Sequence, residues 1–350
     1  MIFVLGLILT IYLLGRLLGY SRTRRFILIV GLLAVIALSH IVLPNDNPLL
    51  VVTGGTAVEW LIALGLALGG AGYLSILQRL KSAAHAKSDK DTPMDKPLFT
   101  NSELDRYARH IMLREIGGPG QKALKQANVL VIGAGGLGAP ALSYLGAMGI
   151  GTIGVIDDDI VENSNLQRQV IHTDGRIGMP KVFSAKEAVE AQNPHVEVRP
   201  YHRRLTETDA EDLFADYDVI LDGTDNFETR YLANAAAAKA GKPLVSGALS
   251  QWEGQLSVFD PANGTPCYQC VFPEAPAAGL APSCAEAGVS AALPGVIGSM
   301  MAQEAMKLIT GAGQPLKGEM FFYDALYADT RKITLRKRED CPVCQAIRSA

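Results

Sequence analysis

The sequence predicts an α/β protein in which a doubly wound sheet domain follows about three transmembrane helices. Three observations predict it. Residues 1–80 are mostly Leu, Ile, Val, Ala and Gly, arranged in three apolar runs. From Asn128 onward, short apolar runs alternate with stretches suited to helices. The first of those runs, "NVLVIG", opens directly onto G-x-G-x-x-G at Gly133, Gly135 and Gly138. The chain has 350 residues, enough for roughly two domains. The expected division is a membrane anchor over 1–80, a flexible linker over 81–99 and an α/β domain over 100–350.

The three apolar runs are Ile2–Gly15 (extended by Leu17, Leu18 and Gly19), Phe26–Leu43 and Trp60–Leu77. Each approaches the ~20 residues a helix needs to cross a bilayer. A signal peptide explains the first run poorly: no basic region precedes it, and no cleavage site leads into polar sequence. Arg16, Arg22, Arg24 and Arg25 lie between runs one and two, and Arg79, Lys81, Lys87 and Lys90 follow run three. "PNDNP" between runs two and three has no basic residue. The positive-inside rule then puts both basic stretches in the cytoplasm, with the N-terminus outside and the C-terminal domain cytoplasmic. The expected location is the inner (cytoplasmic) membrane, crossed several times. Glu59 beside Trp60 reads as an outer-interface residue. Lys81–Pro97, polar with two prolines, reads as linker. Thr100 and Glu103 have capping-box spacing before Leu104, Tyr107 and Ile111.

The α/β domain follows in order. Strands are expected at Asn128–Gly133, Gly151–Asp157, His195–Tyr201, Tyr217–Leu221, Pro243–Ser246 and Gln255–Phe259. Helices are expected at Ala139–Met148, Lys181–Gln192 and Glu228–Ala240, which gives a Rossmann-like doubly wound sheet. Val296–Leu308 is apolar too, but Gln303, Glu304 and Lys307 fall on one face, so it reads as an amphipathic helix packed on the core. The net charge of −3 offers no basic face and argues against a nucleic-acid partner.

The glycine turn has a chemical reading. Without side chains the backbone approaches phosphate closely, and the following helix offers free N–H groups. Asp157, about twenty residues on, suits ribose hydroxyls. NAD and ATP fit equally well so far. Three further features favour ATP. "NSNLQRQ" (Asn163–Gln169) carries Asn165 and Arg168. "GMPKV" puts Lys181 at the start of a helix. "LDGTDN" puts Asp222 and Asp225 at a strand end. Two cations and two carboxylates suit a triphosphate with Mg²⁺, and hydride transfer has no use for them. A NAD-dependent oxidoreductase therefore leaves these residues unexplained. A non-catalytic scaffold would not be expected to keep them all.

Cys267-Tyr-Gln-Cys270 and Cys341-Pro-Val-Cys344 are two Cys-x-x-Cys pairs about seventy residues apart. Four thiolates in two such pairs make a closed, structural zinc site. A redox dithiol is the competing reading.

The motifs G-x-G-G-x-G, "NLQRQ", "PK", "TDN" and the paired Cys-x-x-Cys, with "RYARHI", "EGQLSVF" and "AEAGV", resemble the MoeB/ThiF/HesA adenylyltransferases. These are relatives of the ubiquitin-activating enzymes. The likeness covers about residues 100–350 and is strongest to the molybdopterin-synthase adenylyltransferase type. It implies a ubiquitin-activating-enzyme-like adenylation fold. The implied reaction is ATP-dependent adenylation of the C-terminal Gly-Gly carboxylate of a small β-grasp sulfur-carrier protein. The implied setting is molybdenum cofactor biosynthesis, with the thiamine-pathway carrier as the alternative substrate. By this resemblance Gly136 lies in the nucleotide loop, Asp157 holds ribose, Arg168 and Lys181 bind phosphates, and Asp225 supports the Mg²⁺–ATP centre. Arg109 would reach into the site of a second subunit, making the active form a homodimer. Cys284, in "APSCAEAGV", stands where related enzymes carry a cysteine, either as a loop residue or as a thiol that links to the carrier. Pro273–Pro282 before it is expected to be a loop near the carrier's tail. The sulfur donor is expected to be a separate protein.

Overall fold

The computed structural model describes residues 2–44, 47–88, 98–277 and 284–349. Two compact units divide between Lys96 and Pro97.

The first unit is helical: α1 (Ile2–Leu17), α2 (Arg22–Val42), α3 (Pro48–Thr53) and α4 (Ala57–Ser88). Ser21 caps α2 by accepting from the Arg24 N–H, and Asn47 caps α3 by accepting from the Leu49 N–H. A small core of Val4, Leu33, Ile36, Ala37 and Trp60 joins α1, α2 and α4. The Trp60 indole donates to the Gly54 carbonyl at 2.8 Å. Most other apolar side chains point outward, as on helices that are apolar all round.

Three spans were expected. Among the described residues one helix, Arg24–Val42, is long and apolar enough to cross a bilayer, while Phe3–Leu17 and Ala57–Tyr73 are shorter apolar helices. The first run is cut short where Gly19 takes a left-handed φ of +72°. The linker also differs from expectation, because α4 continues through the polar residues to Ser88. Extending an existing helix through an Ala-rich stretch requires no new nucleus. The rest of that linker, 89–97, lies outside the described residues.

The second unit begins with the expected capping box. Thr100 Oγ1 accepts from the Glu103 N–H, and Glu103 Oε2 accepts from the Thr100 N–H. The helix breaks at Tyr107 into α5 (Asn101–Arg106) and α6 (Ala108–Ile111). Tyr107 is held away from helical continuity because its ring lies on Gly149 and its hydroxyl accepts from Asn193 Nδ2. Then follow α7 (Gly117–Gln126), β1 (Asn128–Ile132), α8 (Gly138–Met148), β2 (Thr152–Ile156), α9 (Lys181–Gln192), β3 (Glu197–Tyr201), α10 (Glu207–Ala215), β4 (Val219–Asp222), α11 (Phe227–Ala240), β5 (Leu244–Leu249), β6 (Glu253–Phe259), α12 (Tyr268–Val271), α13 (Cys284–Ala287), α14 (Leu293–Thr310), β7 (Glu319–Asp324), β8 (Asp329–Thr334) and α15 (Pro342–Ser349).

One eight-stranded sheet runs 3-2-1-4-5-6-7-8. The first five strands in that order are parallel, and β6, β7 and β8 add on antiparallel. Strand alternation sends Val129 and Val131 into a core with α8, α9 and α14, and Leu130 and Ile132 into a second core with α10 and α11. Helices on both faces make the sheet doubly wound, but it is mixed rather than wholly parallel. Strand order reverses between β1 and β4, which opens a crevice at their carboxyl ends.

The turn between β7 and β8 is made by Ala328 at φ +55°. One detail differs from expectation. Glu304 does not share the solvent face of Gln303. It is buried, pairs with Lys307 and accepts from the Leu316 N–H at 2.8 Å, so it tethers the loop that leads to β7.

Candidate functional site

The crevice holds a cavity of about 400 Å³ lined by Gly133, Gly135, Gly136, Asp157, Arg168, Lys181 and Asp225, among others. Seven residues singled out in the sequence thus converge from five chain segments.

The turn after β1 is as tight as a backbone allows. Gly133 sits at φ +92°, and its N–H donates to the Ile156 carbonyl at 2.8 Å. A Cβ on Gly138 would stand 1.9 Å from the Gly133 carbonyl oxygen. Gly138 therefore packs α8 onto the turn and does not line the cavity. Asp157, expected to hold ribose, has its partners in the turn itself. Its two oxygens accept from the Ala134 N–H at 2.7 Å and the Asp159 N–H at 2.8 Å. Burial pushes its carboxyl above the usual range. The carboxylate is thus part of the turn's own scaffold.

Lys181 begins α9 and is buried, with Nζ 2.7 Å from Asp159 Oδ2. Asp159 is exposed, so a triphosphate can take over the ammonium without breaking a buried pair. Arg168 donates to the Ser164 carbonyl and to Asn165 Oδ1 at 3.4 Å. Asn165 does not line the cavity but steadies Arg168. Asp225 is exposed and makes no hydrogen bond or ion pair among the described residues, which leaves its carboxylate free for a cation.

Asp222 departs from the expected carboxylate pair. It is fully buried, 3.7 Å from Arg230 Nη1, and accepts from the Thr224 N–H, the Thr224 hydroxyl and the Ser246 hydroxyl. These partners all belong to the fold and Asp222 does not line the cavity, so its part is structural. Arg230 was missed in the sequence. From α11 it donates to the carbonyls of Thr224 and Gly247, fixing the loop that presents Asp225. An arginine on a helix carries no sequence signal of burial. Arg109, on α6, is exposed, outside the cavity and without a polar partner among the described residues.

The four paired cysteines meet. Sγ–Sγ distances are 3.8 Å for Cys267–Cys270, 3.5 Å for Cys267–Cys341 and 3.5 Å for Cys270–Cys344. These are too long for disulfides, with S–S bonds of about 2.05 Å. They match a tetrahedral zinc, whose ~2.3 Å bonds separate sulfurs by roughly 3.8 Å. All four are buried. Burial pushes the Cys267 thiol up, and the Cys344 thiol to about 11. A bound dication would reverse that, so the residues fit structural zinc. Cys284 begins α13, but its side chain lies outside the described residues, as do residues 278–283 of the loop before it.

Several known proteins are similar to this chain. The protein family described as ThiF matches residues 107–343. The sulfur carrier protein adenylyltransferase of Thermus thermophilus is 50% identical over 250 residues, covering 70% of this chain and 92% of the relative. The SAMP-activating enzyme E1 of Haloferax volcanii is 47% identical over 243 residues, 69% of this chain and 89% of that one. The probable adenylyltransferase/sulfurtransferase MoeZ of Mycobacterium tuberculosis is 51% identical over 247 residues, 70% of this chain and 63% of that one. Among solved structures, PaaA superposes with a TM-score of 0.60 at 22% identity over 84% of this chain and 92% of that one. MccB from E. coli, crystallised with ATP, superposes at 0.61 with 21% identity over 71% of this chain and 76% of that one. Those two likenesses concern the fold. With its family match spanning well over half its residues and near relatives at half identity, the chain belongs to the ThiF family of adenylyltransferases.

Proposed function

We propose that the chain adenylates the C-terminal Gly-Gly carboxylate of a small β-grasp sulfur carrier, first of all the small subunit of molybdopterin synthase, in molybdenum cofactor biosynthesis. The carboxylate oxygen attacks the α-phosphorus of ATP, the bond to the β-phosphate oxygen breaks, and pyrophosphate leaves. Both reactants are anionic, so the work of catalysis is charge neutralisation and alignment. One observation carries the reading: Gly135, Gly136, Lys181, Arg168 and an unpaired Asp225 line one cavity. Lys181 and Arg168 neutralise the triphosphate, and Asp157 binds ribose with the lone pairs its backbone partners leave open. Asp225 would hold Mg²⁺, which supplies further positive charge when bound. In this reading zinc at Cys267, Cys270, Cys341 and Cys344 pins the C-terminal segment to the body. Arg109 serves the cavity of a second copy, and a separate protein donates sulfur. Residues 1–80 anchor the enzyme by three spans in the cytoplasmic membrane, with the catalytic unit inside.

ATP–pyrophosphate exchange by the detergent-solubilised chain tests the reaction, with candidate carriers added one at a time. Exchange that needs the molybdopterin carrier and is lost, by 10³-fold or so, in Asp225→Ala supports the proposal. Exchange with the thiamine carrier alone moves the enzyme to that pathway. ATP binding without exchange for any carrier favours a scaffold.

A further inference from the structure

His172 lies outside the cavity, yet it touches the turn that forms it. The ring is buried and both nitrogens are engaged. Nε2 stands 2.9 Å from the Ala134 carbonyl oxygen, and Nδ1 stands 2.9 Å from Ser184 Oγ. A carbonyl only accepts, so Nε2 carries the proton, and Nδ1 accepts from the Ser184 hydroxyl. This single neutral tautomer satisfies every partner.

The consequence concerns the Ala134 peptide. Its N–H is drawn to Asp157 and its carbonyl to His172. With both ends of residue 134 held from behind, the next residues, Gly135 and Gly136, face the cavity. The other end of the bridge, Ser184, is buried in the first turn of α9, one turn after Lys181. Arg176 donates to the Ser184 carbonyl at 2.9 Å and fixes that turn in its place.

We infer that His172 is a positioning residue that sets the glycine turn against the Lys181 end of α9, so that the loop amides and the ammonium meet the same polyphosphate. The inference rests on the nucleotide reading of the crevice. Its chemistry is geometric: the ring neither touches the ligand nor exchanges a proton with it. Without the Nε2 bond, the Ala134 peptide is free to turn its carbonyl toward the cavity, where it would face phosphate oxygen.

Two substitutions separate positioning from general support. In His172→Gln the longer amide still reaches the Ala134 carbonyl. In His172→Asn the amide reaches Ser184 but falls short of Ala134. Both remove the ring and should lower the urea midpoint similarly. Titration calorimetry of the full chain in detergent with Mg-ATP should show affinity within about threefold of the parent for Gln. For Asn it should be about tenfold or more weaker, the scale of one buried carbonyl left unpaired. Parent-like affinity in a folded Asn variant overturns the inference. If neither variant folds, Ser184→Ala decides. It removes the Ser184 hydroxyl but leaves the Nε2 bond to the Ala134 carbonyl, so ATP affinity should stay within about threefold of the parent, as in His172→Gln; a loss of about tenfold or more overturns the inference. A parent chain that does not bind ATP at all defeats the nucleotide reading itself, a result the parent titration alone reveals.

Discussion

Replacing Gly138 by alanine tests the tightest contact in the site. The new Cβ would lie 1.9 Å from the Gly133 carbonyl oxygen and 2.8 Å from its carbon. Non-bonded heavy atoms settle at about 3.5 Å, so α8 and the turn must part by roughly 1.6 Å. Overpacking of this kind costs about 1–3 kcal/mol. At about 2 kcal/mol a domain of this size loses about 4–8 °C of Tm. The displaced carbonyl belongs to the first residue of the loop, and a misplacement of about 1 Å can cost roughly 10²-fold in a site that aligns its substrate. Gly135→Ala is the companion. Its Cβ would meet nothing nearer than Gln169 Nε2 at 3.6 Å, an ordinary contact. Stability should hold to within about 0.5 kcal/mol, while the methyl group, on a residue that lines the cavity, should weaken ATP about tenfold or more by crowding the phosphates. Thermal unfolding and ATP titration of both variants separate the two effects. A Gly138→Ala protein with the parent's Tm and the parent's ATP affinity would refute the tight-turn argument.

Further outcomes follow from the same geometry. Cys341→Ser should lower bound zinc, read by elemental analysis, well below one per chain and lower Tm; zinc retained in full would show that the four thiols do not form the site. Arg230→Leu leaves Asp222 buried without its partner and should cost about 3–5 kcal/mol, with part recovered in the Arg230→Leu, Asp222→Asn double variant; additive losses in urea unfolding would argue against a coupled pair. Burial holds His172 below the ordinary histidine value of 6.5, and the nearby charges of Lys181 and Arg176 act in the same direction. A depressed folded-state value means that stability is present above the unfolded pKa and is lost as pH falls through the folded one. The parent should therefore lose stability faster than His172→Gln between about pH 7 and 5; parallel profiles would contradict this.

How much of the site could be read in the sequence varied with the kind of residue. Gly133, Gly135, Asp157, Arg168, Lys181 and Asp225 were each legible, because local spacing ties them to strand ends and helix starts, and the fold gathers strand ends at one crevice; Gly136 was implied by the family resemblance. The four cysteines were legible because short-range pairing constrains metal ligands. Asp222 and Asp225 look alike in "LDGTDN", yet one is buried against Arg230 and the other is exposed. Burial is a property of packing across the chain, and a motif three residues apart carries none of that information. His172 and Arg230 went unnoticed for the same reason: their partners, Ala134 and Gly247, are distant in sequence.

The sequence by itself determined the alternation of strands and helices, the glycine turn, the Cys-x-x-Cys pairs and the three apolar runs. All of these depend on periodicity or on spacing within a few residues. Only the tertiary structure decided that the sheet turns antiparallel after β5, that Glu304 faces inward, that Asp222 is buried against Arg230 and that His172 pairs with the Ala134 carbonyl. Each of those depends on which distant group supplies the missing hydrogen bond or counter-charge, since a buried polar atom is tolerated only where such a partner meets it.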